Sequence, residues 1–240
     1  FGLSDHLASD DYTPEHALEL VERVRANFHL DRFHVAGHSL GGFFAWYYAA
    51  HHPDRVDRLV LIDPIGYPQT MPAAASALAY PLLGEIVCLG APRFLIERLL
   101  QTAYGDPRCV DAALIERSCA LLSQRRNRVA LIRTLRRLRE YRNNFELCRS
   151  IALVRAPTLL LWGGRDRWVP PSLLQHWRRD LPAAQVKIYP ALGHLPMEEL
   201  PERTARDVHA FLSEAAQPAL SEETSPENVR RERIAHARGA

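Results

Sequence analysis

Short apolar runs alternate along this chain with longer segments whose apolar residues recur at helical spacing. Three runs have the length and composition of buried strands, namely residues 59–62, 157–162 and 186–189, and a fourth apolar segment leads into residue 37. Strands that alternate with helices are typical of an α/β fold, in which helices cover both faces of a parallel sheet. This is the fold class that the pattern predicts.

The first helical pattern follows Thr13. A threonine can accept a hydrogen bond from the free amides at a helix start, and Pro14 suits the first helical position because it has no amide proton. Apolar residues then recur every three or four positions, at Leu18, Val21, Val24 and Phe28. The spacing predicts a helix with this stripe buried.

The middle of the chain has no strand pattern. Four helical patterns follow one another there, at residues 73–83, 92–104, 111–122 and 124–142. We therefore predict a core formed by residues 1–63 and 151–216, with residues 64–150 inserted as a helical cap. Residues 217–240 hold few aliphatic residues among many charges and are expected to be disordered.

The segment with the clearest chemistry is residues 37–42, Gly-His-Ser-Leu-Gly-Gly, which stands between a strand pattern and an apolar helix pattern. A serine between glycines on such a turn is typical of a nucleophile elbow, where the backbone bends too sharply for flanking side chains. We expect Gly37 and Gly41 to relieve that crowding and Ser39 to project from the end of the strand. The amide of Leu40 can then donate to an oxyanion.

A nucleophilic serine needs a base, and the base needs a carboxylate that orients it. Asp166 follows the strand at residues 157–162, and His194 follows the strand at residues 186–189 after a short loop. Open parallel sheets form their sites at the carboxyl ends of strands, so both side chains are expected near Ser39. Serine, aspartate, histidine is one of three chain orders in which serine hydrolases arrange these groups.

Five motifs carry a resemblance to a known family: F-G-L-S-D, A-G-H-S-L-G-G, H-P-D-R-V-D-R-L-V-L-I-D-P, L-W-G-G-R-D-R-W-V-P and G-H-L-P-M-E-E-L-P-E. In this order they resemble the α/β-hydrolase superfamily, from the start of the chain to about residue 214. The resemblance implies Ser39 as nucleophile, His194 as general base and then acid, and Asp166 as the residue that holds the imidazole. It favours the small esterases and carbon–carbon hydrolases with a helical cap, and disfavours relatives with an aspartate at the elbow.

A second aspartate is an alternative to Asp166 as the residue that holds the imidazole. Asp63 ends the strand at residues 59–62, and in some members of the superfamily the residue at this place reaches the imidazole. Asp166 is favoured because W-G-x-x-D is the commoner placement. Asp63 would then line the pocket or form a hydrogen bond with the elbow.

Four further residues close to the predicted site have candidate roles. Trp168 lies two residues beyond the acid and is a candidate wall of the substrate pocket, and His38 is a second pocket candidate. Glu198 and Glu199 follow the histidine closely. Acids in a first helical turn satisfy free amides, so both are expected to cap the last helix.

The helical pattern at residues 124–142 contains eight arginines and a single acid, Glu140. One interpretation is a basic roof that attracts carboxylate-bearing substrates. The other is a solvated outer face, which is the usual place for a run of charges along a helix and is favoured here.

Composition narrows the classes of function. The chain has 240 residues and a net charge of +2, which implies no strong attraction to nucleic acid. Its four cysteines show no C-x-x-C spacing and favour reduced thiols in a cytoplasmic protein over a disulfide or zinc framework. No uncharged apolar run reaches the length of about 18 residues that marks a membrane span, so no membrane partner is expected.

The start of the chain departs from the pattern of the superfamily. In relatives, F-G-L-S-D follows the fourth strand, and a His-Gly loop after the third strand supplies the second oxyanion donor. We therefore expect a fragment that lacks roughly one strand–helix block, at about 30 residues per βαβ unit, with the second donor upstream of Phe1. The strand before Ser39 would then have an uncovered edge, and the chain as given would be less active and less soluble than an extended form.

The expected function is hydrolysis of an ester-like bond of a small molecule through an acyl-enzyme, as in carboxylesterases, without a metal or an organic cofactor. Two alternatives stay open. One is hydrolysis of a carbon–carbon bond in a dienoate-type ring-cleavage product. The other is a hydrolase-fold protein that binds a ligand without turning it over.

Overall fold

The computed structural model describes residues 2–4, 13–69, 73–78, 80–141 and 145–214. In these residues four strands form one parallel sheet: β1 (Phe33–His38), β2 (Val56–Ile62), β3 (Thr158–Gly163) and β4 (Gln185–Tyr189). Their order in the sheet follows their order in the chain. The predicted strands are therefore confirmed. The prediction for residues 217–240 lies outside the described residues.

The helices of the described residues surround this sheet and fill the long segment between β2 and β3. They are α1 (Pro14–Asn27), α2 (Leu40–His51), α3 (Ala73–Leu78), α4 (Pro81–Leu89), α5 (Arg93–Ala103), α6 (Ala112–Ser123), α7 (Arg125–Tyr141), α8 (Phe145–Arg149), α9 (Leu174–Asp180), α10 (Pro196–Glu199) and α11 (Pro201–Ser213). We call α3 to α8 the insertion, because they interrupt the strands of the sheet. Within the described part of the chain, no helix combines the length and the apolar content needed to cross a bilayer.

Two apolar cores lie on opposite faces of the sheet, since successive residues of a strand point to opposite sides. On one face the core includes Trp46 of α2 and Trp177 of α9, both fully buried. On the other face Val60 and Leu161 pack with Phe211 of α11. β3 is buried at every position, as expected for an inner strand covered on both faces. The α/β fold class is confirmed by this arrangement.

The start of α1 agrees with the prediction, but its apolar stripe does not. Thr13 accepts a hydrogen bond from a first-turn amide at 3.3 Å. Leu18 and Val21 pack against the core beside α2. Val24 and Phe28 are 58% and 66% exposed, so the predicted buried stripe is wrong for the second half of the helix. Only the first half of α1 faces the core.

The insertion differs from the prediction in two places, one of which is the additional short helix α8. The helix predicted at residues 73–83 is two helices, because α3 ends at Leu78 and Pro81 begins α4. Proline fits the first turn of a helix but not its interior. Gly84 lies inside α4 against Ile132 of α7, where a Cβ would come within 2.8 Å of the isoleucine side chain. The other three predicted helices are confirmed as α5, α6 and α7, each end within one residue.

Arg128 of α7 has a structural role that could not be predicted from the run of arginines in the sequence. It is buried, and its guanidinium donates to four main-chain carbonyls at the C-terminal ends of two helices. The contacts are 2.6 Å to Leu122 and Ser123 at the end of α6, and 3.2 Å to Cys88 and Leu89 at the end of α4. A cation is stabilised at helix C-termini, so Arg128 fixes the insertion from inside.

Other arginines of α7 lie at the surface. Arg125, Arg126 and Arg137 are exposed. The arginine run is therefore not a single solvated face, since one member of it is buried among helix ends.

Candidate active site

The turn between β1 and α2 holds Ser39 in an unusual backbone conformation. Its φ and ψ angles are 52° and −115°, and residues with a side chain rarely adopt a positive φ. Hydrogen bonds fix the turn, because the Ser39 amide donates to the carbonyl of Ile62 at 3.0 Å and the Ser39 carbonyl accepts from Phe43 and Ile65 at 3.1 Å. Backbone strain of this kind clusters at functional sites. The conformation is that of a nucleophile elbow.

Two glycines make this turn possible, and one of them is not the predicted one. A Cβ on Gly37 would lie 2.2 Å from the carbonyl oxygen of Gly41, so no other residue fits there. A Cβ on Gly41 would meet nothing within 4 Å, and the prediction that Gly41 relieves crowding is wrong. The second crowded position is Gly42, where a Cβ would lie 2.8 Å from the side chain of Pro64.

Leu40 begins α2 directly after the serine. The first amides of a helix have no acceptor within the helix and carry the positive end of its dipole. The Leu40 amide is therefore one of the first-turn amides of α2 that can donate to an acceptor beside Ser39.

His194 lies in the loop between β4 and α10, and the insertion holds this loop in place. The His194 amide donates to the carbonyl of Ala103 in α5 at 2.6 Å. The carboxylate of Glu199 accepts from the Gly193 amide at 2.7 Å and from the Gly105 amide at 2.8 Å. Because Gly105 follows α5, this one carboxylate joins the histidine loop to the insertion.

Ser39, His194 and Asp166 are in hydrogen-bond contact. The Ser39 hydroxyl donates to Nε2 of His194 at 2.9 Å, and Nδ1 of His194 donates to Oδ2 of Asp166 at 2.7 Å. The histidine and the aspartate are 4% and 5% exposed. In this arrangement the imidazole can accept the serine proton, and the buried carboxylate can stabilise the resulting imidazolium.

The second oxygen of the Asp166 carboxylate is also fixed. Oδ1 accepts from the amides of Trp168 and Val169 at 2.7 and 2.9 Å. With Oδ2 bound to the imidazole, the carboxylate has no freedom to turn away. These amides come from the loop after β3, which explains how the acid stays aligned with the ring.

Asp63 lies beside this group but faces another partner. Its Oδ1 accepts from the Gly163 amide at 2.9 Å, and its buried Oδ2 has no hydrogen-bond partner. Burial, together with the neighbouring Asp166 carboxylate, raises the pKa of Asp63 well above its usual range. The Asp63 carboxyl group therefore resists ionisation more than an ordinary aspartate does, and its hydrogen bond goes to Gly163 and not to the imidazole.

The two predicted pocket residues both contact His194. Nε2 of His38 donates to the His194 carbonyl at 2.6 Å, and the two rings lie 4.6 Å apart. Burial and the nearby His194 lower the pKa of His38 to about 4. The Trp168 ring stacks on the His194 ring at 5.8 Å with an interplanar angle of 11°, and its Nε1 donates to Thr102 of α5 at 3.1 Å.

The predicted caps of the last helix are wrong. Glu199 binds Gly193 and Gly105 instead, and Glu198 accepts from the Tyr104 hydroxyl at 3.1 Å and pairs with Arg117 at 3.2 Å. Both acids therefore face the insertion. The contacts with Tyr104 and Gly105 are not visible in the sequence, because both partners lie 94 residues upstream.

Among the described residues, His38, Asp63 and His194 offer ligand atoms within 4.8 Å of one another. Their donors have other roles here. Both ring nitrogens of His194 are engaged by Ser39 and Asp166, and Nε2 of His38 binds a carbonyl. The expectation that catalysis needs no metal and no organic cofactor stays a prediction.

Comparison with known proteins identifies the family. A model described as the alpha/beta hydrolase family matches residues 1–207. The chain belongs to this family. The resemblance seen in the five motifs is thereby confirmed at the level of the family.

Similar proteins include a lipase, a phospholipase and a meta-cleavage product hydrolase. Lipase 3 of Moraxella sp. (strain TA144) is 26% identical over 217 residues, which are 88% of this chain and 66% of the lipase. The chain thus spans about two thirds of the length of this curated relative. A solved meta-cleavage product hydrolase from Pseudomonas fluorescens IP01 has a TM-score of 0.76 at 21% identity, over 90% of this chain and 77% of that one. A solved bacterial membrane phospholipase A has a TM-score of 0.68 at 29% identity, over 88% and 67%.

Proposed function

We propose that this alpha/beta hydrolase cleaves an ester bond of a small molecule through an acyl-enzyme on Ser39. One observation carries the proposal, namely the 2.9 Å hydrogen bond from the Ser39 hydroxyl to a histidine whose other nitrogen is bound to a buried aspartate. A serine hydroxyl is a weak nucleophile by itself. An adjacent base that removes its proton makes it reactive toward a carbonyl carbon.

The mechanism has two steps that use the same proton path. In the first, Nε2 of His194 takes the Ser39 proton while Oγ bonds to the carbonyl carbon, and the protonated imidazole then gives this proton to the departing alkoxide. In the second, water loses a proton to Nε2 and attacks the acyl carbon, and the proton returns to Oγ as the acid leaves. Asp166 stays ionised throughout and keeps Nδ1 protonated.

The oxyanion needs donors at the elbow. The amide of Leu40, at the positive end of α2, is the first of them. The resemblance to the superfamily implies a second amide donor beside it. Each such donor contributes about 10² to 10³ in kcat.

The substrate is expected to be a small molecule rather than a nucleic acid, since the net charge is only +2. The four cysteines are free thiols, which supports a reducing, cytoplasmic setting. The lipase and the phospholipase A among the similar proteins favour an ester bond. The meta-cleavage product hydrolase, at 21% identity, supports the fold alone.

A fluorophosphonate probe tests the nucleophile. We expect the probe to label the purified protein once, at Ser39, with loss of labelling in Ser39→Ala. Ser123→Ala is the matched control, because Ser123 is exposed in α6 and far along the chain from the elbow. Absence of labelling in the unmodified protein would favour a ligand-binding protein without turnover.

A substrate panel tests the bond. Nitrophenyl esters of increasing acyl length are compared with a dienoate ring-cleavage product at equal enzyme concentration. We expect turnover of at least one ester and none of the dienoate. Turnover of the dienoate alone would replace ester hydrolysis by carbon–carbon hydrolysis at the same serine.

A further inference from the structure

The strands that carry the serine and the histidine are not neighbours in the sheet. Ser39 follows β1 and His194 follows β4, which lie at opposite ends of the four-stranded order. Neighbouring strands are about 4.8 Å apart, so β1 and β4 are separated by roughly 14 Å. The loop after β4 must therefore cross the carboxyl ends of β3 and β2 before its imidazole reaches the serine. Because β1 pairs with β2 and β4 pairs with β3, no direct pairing in the described sheet fixes this distance.

Two side-chain hydrogen bonds join the end of β1 to the histidine loop in the part of the chain that the structure describes. One is the 2.9 Å bond from the Ser39 hydroxyl to Nε2 of His194. The other is the 2.6 Å bond from Nε2 of His38 to the main-chain carbonyl of His194. A carbonyl oxygen can only accept, so Nε2 of His38 carries the proton. His38 thus holds the backbone of the histidine, whereas Ser39 holds its ring.

The other contacts of His194 fix it relative to different parts of the molecule. Its amide donates to Ala103 of the insertion at 2.6 Å, and its Nδ1 donates to Asp166, after β3, at 2.7 Å. The Trp168 ring, from the same loop as Asp166, stacks on the imidazole. These contacts align His194 with β3 and the insertion. Its alignment with β1, among the described residues, depends on the bonds from Ser39 and His38.

Acylation of the serine removes one of these two bonds. Once Oγ of Ser39 is bonded to the acyl carbon, it has no proton to donate to Nε2 of His194. The hydroxyl donor is therefore lost for as long as the acyl-enzyme lasts, which is when the imidazole must direct a water molecule at the acyl carbon. The bond from His38 involves no reacting atom, so it is present in both steps.

His38 suits this role because its ring is uncharged. Burial and the nearby His194 lower the pKa of His38 to about 4, so the ring is neutral at neutral pH. The two ring centroids lie 4.6 Å apart. A positive charge at this distance would oppose the protonation of His194 in each step. A neutral imidazole supplies the donor without that cost.

We propose that His38 is a positioning residue that holds His194 against the nucleophile elbow, above all in the acyl-enzyme. The inference rests on the proposed function, because it concerns the second step of the acyl-enzyme mechanism. His38 exchanges no proton with the substrate and acts through the position of His194. This role differs from the pocket contact expected from the sequence.

Pre-steady-state kinetics on a nitrophenyl ester separates the two steps, since nitrophenolate leaves on acylation and the acid leaves on deacylation. His38→Leu removes the donor. Its deacylation rate, measured as the steady release after the burst, should fall about 10- to 100-fold, because a displacement of about 1 Å costs up to that much. Its kcat/KM, which reports acylation, should stay within about threefold of the unmodified value. The reason is that the Ser39 hydroxyl still binds Nε2 in the free enzyme.

Three further variants show whether the donor is responsible. His38→Gln is the rescue variant, because its side-chain nitrogen can take the place of Nε2, and its deacylation rate should stay within about threefold of the unmodified rate. His34→Leu is the matched control, since His34 is exposed on the same strand, and neither step should change. His38→Met is a second variant without the donor, and it replaces His38→Leu where circular dichroism shows that the leucine protein is not folded.

Fluorophosphonate labelling separates this inference from the function on which it rests. An unmodified protein without labelling or without a burst forms no acyl-enzyme from the ester, which overturns both. With labelling and burst present, three results overturn the role of His38 alone. They are an unchanged deacylation rate in His38→Leu, an equal slowing of both steps, and a His38→Gln protein as slow as His38→Leu. Loss of folding in both variants without the donor would also overturn it, since the contact would then serve stability.

Discussion

The sheet and the insertion contribute to the candidate active site in different ways. The sheet supplies the side chains proposed for catalysis, because Ser39, Asp166 and His194 follow the carboxyl ends of β1, β3 and β4. The insertion supplies main-chain and supporting groups, such as the carbonyl of Ala103 and the hydroxyl of Thr102. The proposed catalytic residues thus follow paired strands, whereas the supporting groups of the insertion lie in helices.

The difference extends to the surface of each region. The inner strands of the sheet are buried on both faces, whereas the insertion exposes aliphatic side chains of α4 such as Leu82 and Leu89. A rigid sheet suits groups that must hold a fixed geometry, and the helices above it are free to vary in what they contact. This comparison predicts that changes in the sheet loops act on the chemical step, while changes in the insertion act on stability or alignment.

The largest effect is expected at the acid. Asp166→Asn should lower kcat by about 10⁴, because the neutral amide no longer holds the tautomer of His194. Asp63→Asn should change kcat less than about tenfold, since the hydrogen bond of Asp63 goes to the Gly163 amide, whereas the imidazole binds Asp166. Steady-state kinetics on one ester measures both. A large loss of kcat in Asp63→Asn with normal kcat in Asp166→Asn would show that Asp63, at the end of β2, is the aspartate that orients His194.

The next effect is expected inside the insertion. Arg128→Met should lower the free energy of unfolding by about 2 to 4 kcal/mol, because the carbonyls at the ends of α4 and α6 lose a charged donor. Urea unfolding followed by circular dichroism measures this change. Arg126→Met is the control, since Arg126 is exposed in the same helix. Equal stability of the two variants would mean that Arg128 does not hold the insertion together.

A smaller effect is expected where the sheet loops meet the insertion. Glu199→Gln should lower kcat about tenfold with little change in KM, because its side-chain amide can no longer accept from both Gly193 and Gly105, and His194 shifts. Glu198→Gln is the neighbouring control. A change in KM alone would indicate that Glu199 shapes substrate binding rather than the position of the histidine.

The smallest effect concerns acid stability of the sheet. Burial opposes ionisation of Asp207, but hydrogen bonds from Lys187, Tyr189 and Arg203 lower its pKa to about 2. A lowered pKa stabilises the fold above the unfolded value of about 4, and that stability is lost as pH falls toward 2. Because two of these partners are partly exposed, the contribution is about 1 kcal/mol.

Asp207→Asn tests this assignment. Urea midpoints at pH 5 and pH 3 should differ less in the variant than in the unmodified protein, because the titrating group is gone. An unchanged pH dependence would mean that carboxyl groups other than Asp207 cause the loss of stability at low pH.

Much of the site was predictable because local patterns determine it. An apolar strand that runs into Gly-His-Ser-Leu-Gly-Gly can bend only at the serine, and parallel strands bring their carboxyl ends to one edge. These two facts bring Ser39, Asp166 and His194 together without any knowledge of the insertion. The strand bounds followed in the same way from short apolar runs.

The wrong predictions share a physical cause, which is contact between distant parts of the chain. Glu199 resembles a helix cap because its partner Gly105 is invisible in the local sequence. Arg128 resembles its exposed neighbours because helical spacing does not reveal which arginine faces another helix end. Val24 and Phe28 have the right spacing, but no core extends beneath that end of α1.

The stacking of Trp168 on His194 gives the protein an internal optical reporter. Protonated imidazole quenches indole emission on contact, and the two rings lie nearly parallel at 5.8 Å. The other three tryptophans are fully buried elsewhere and supply a constant background. Under the proposed mechanism the charge of His194 changes at each proton transfer, so tryptophan emission in a stopped-flow fluorimeter is expected to follow these steps without any added dye.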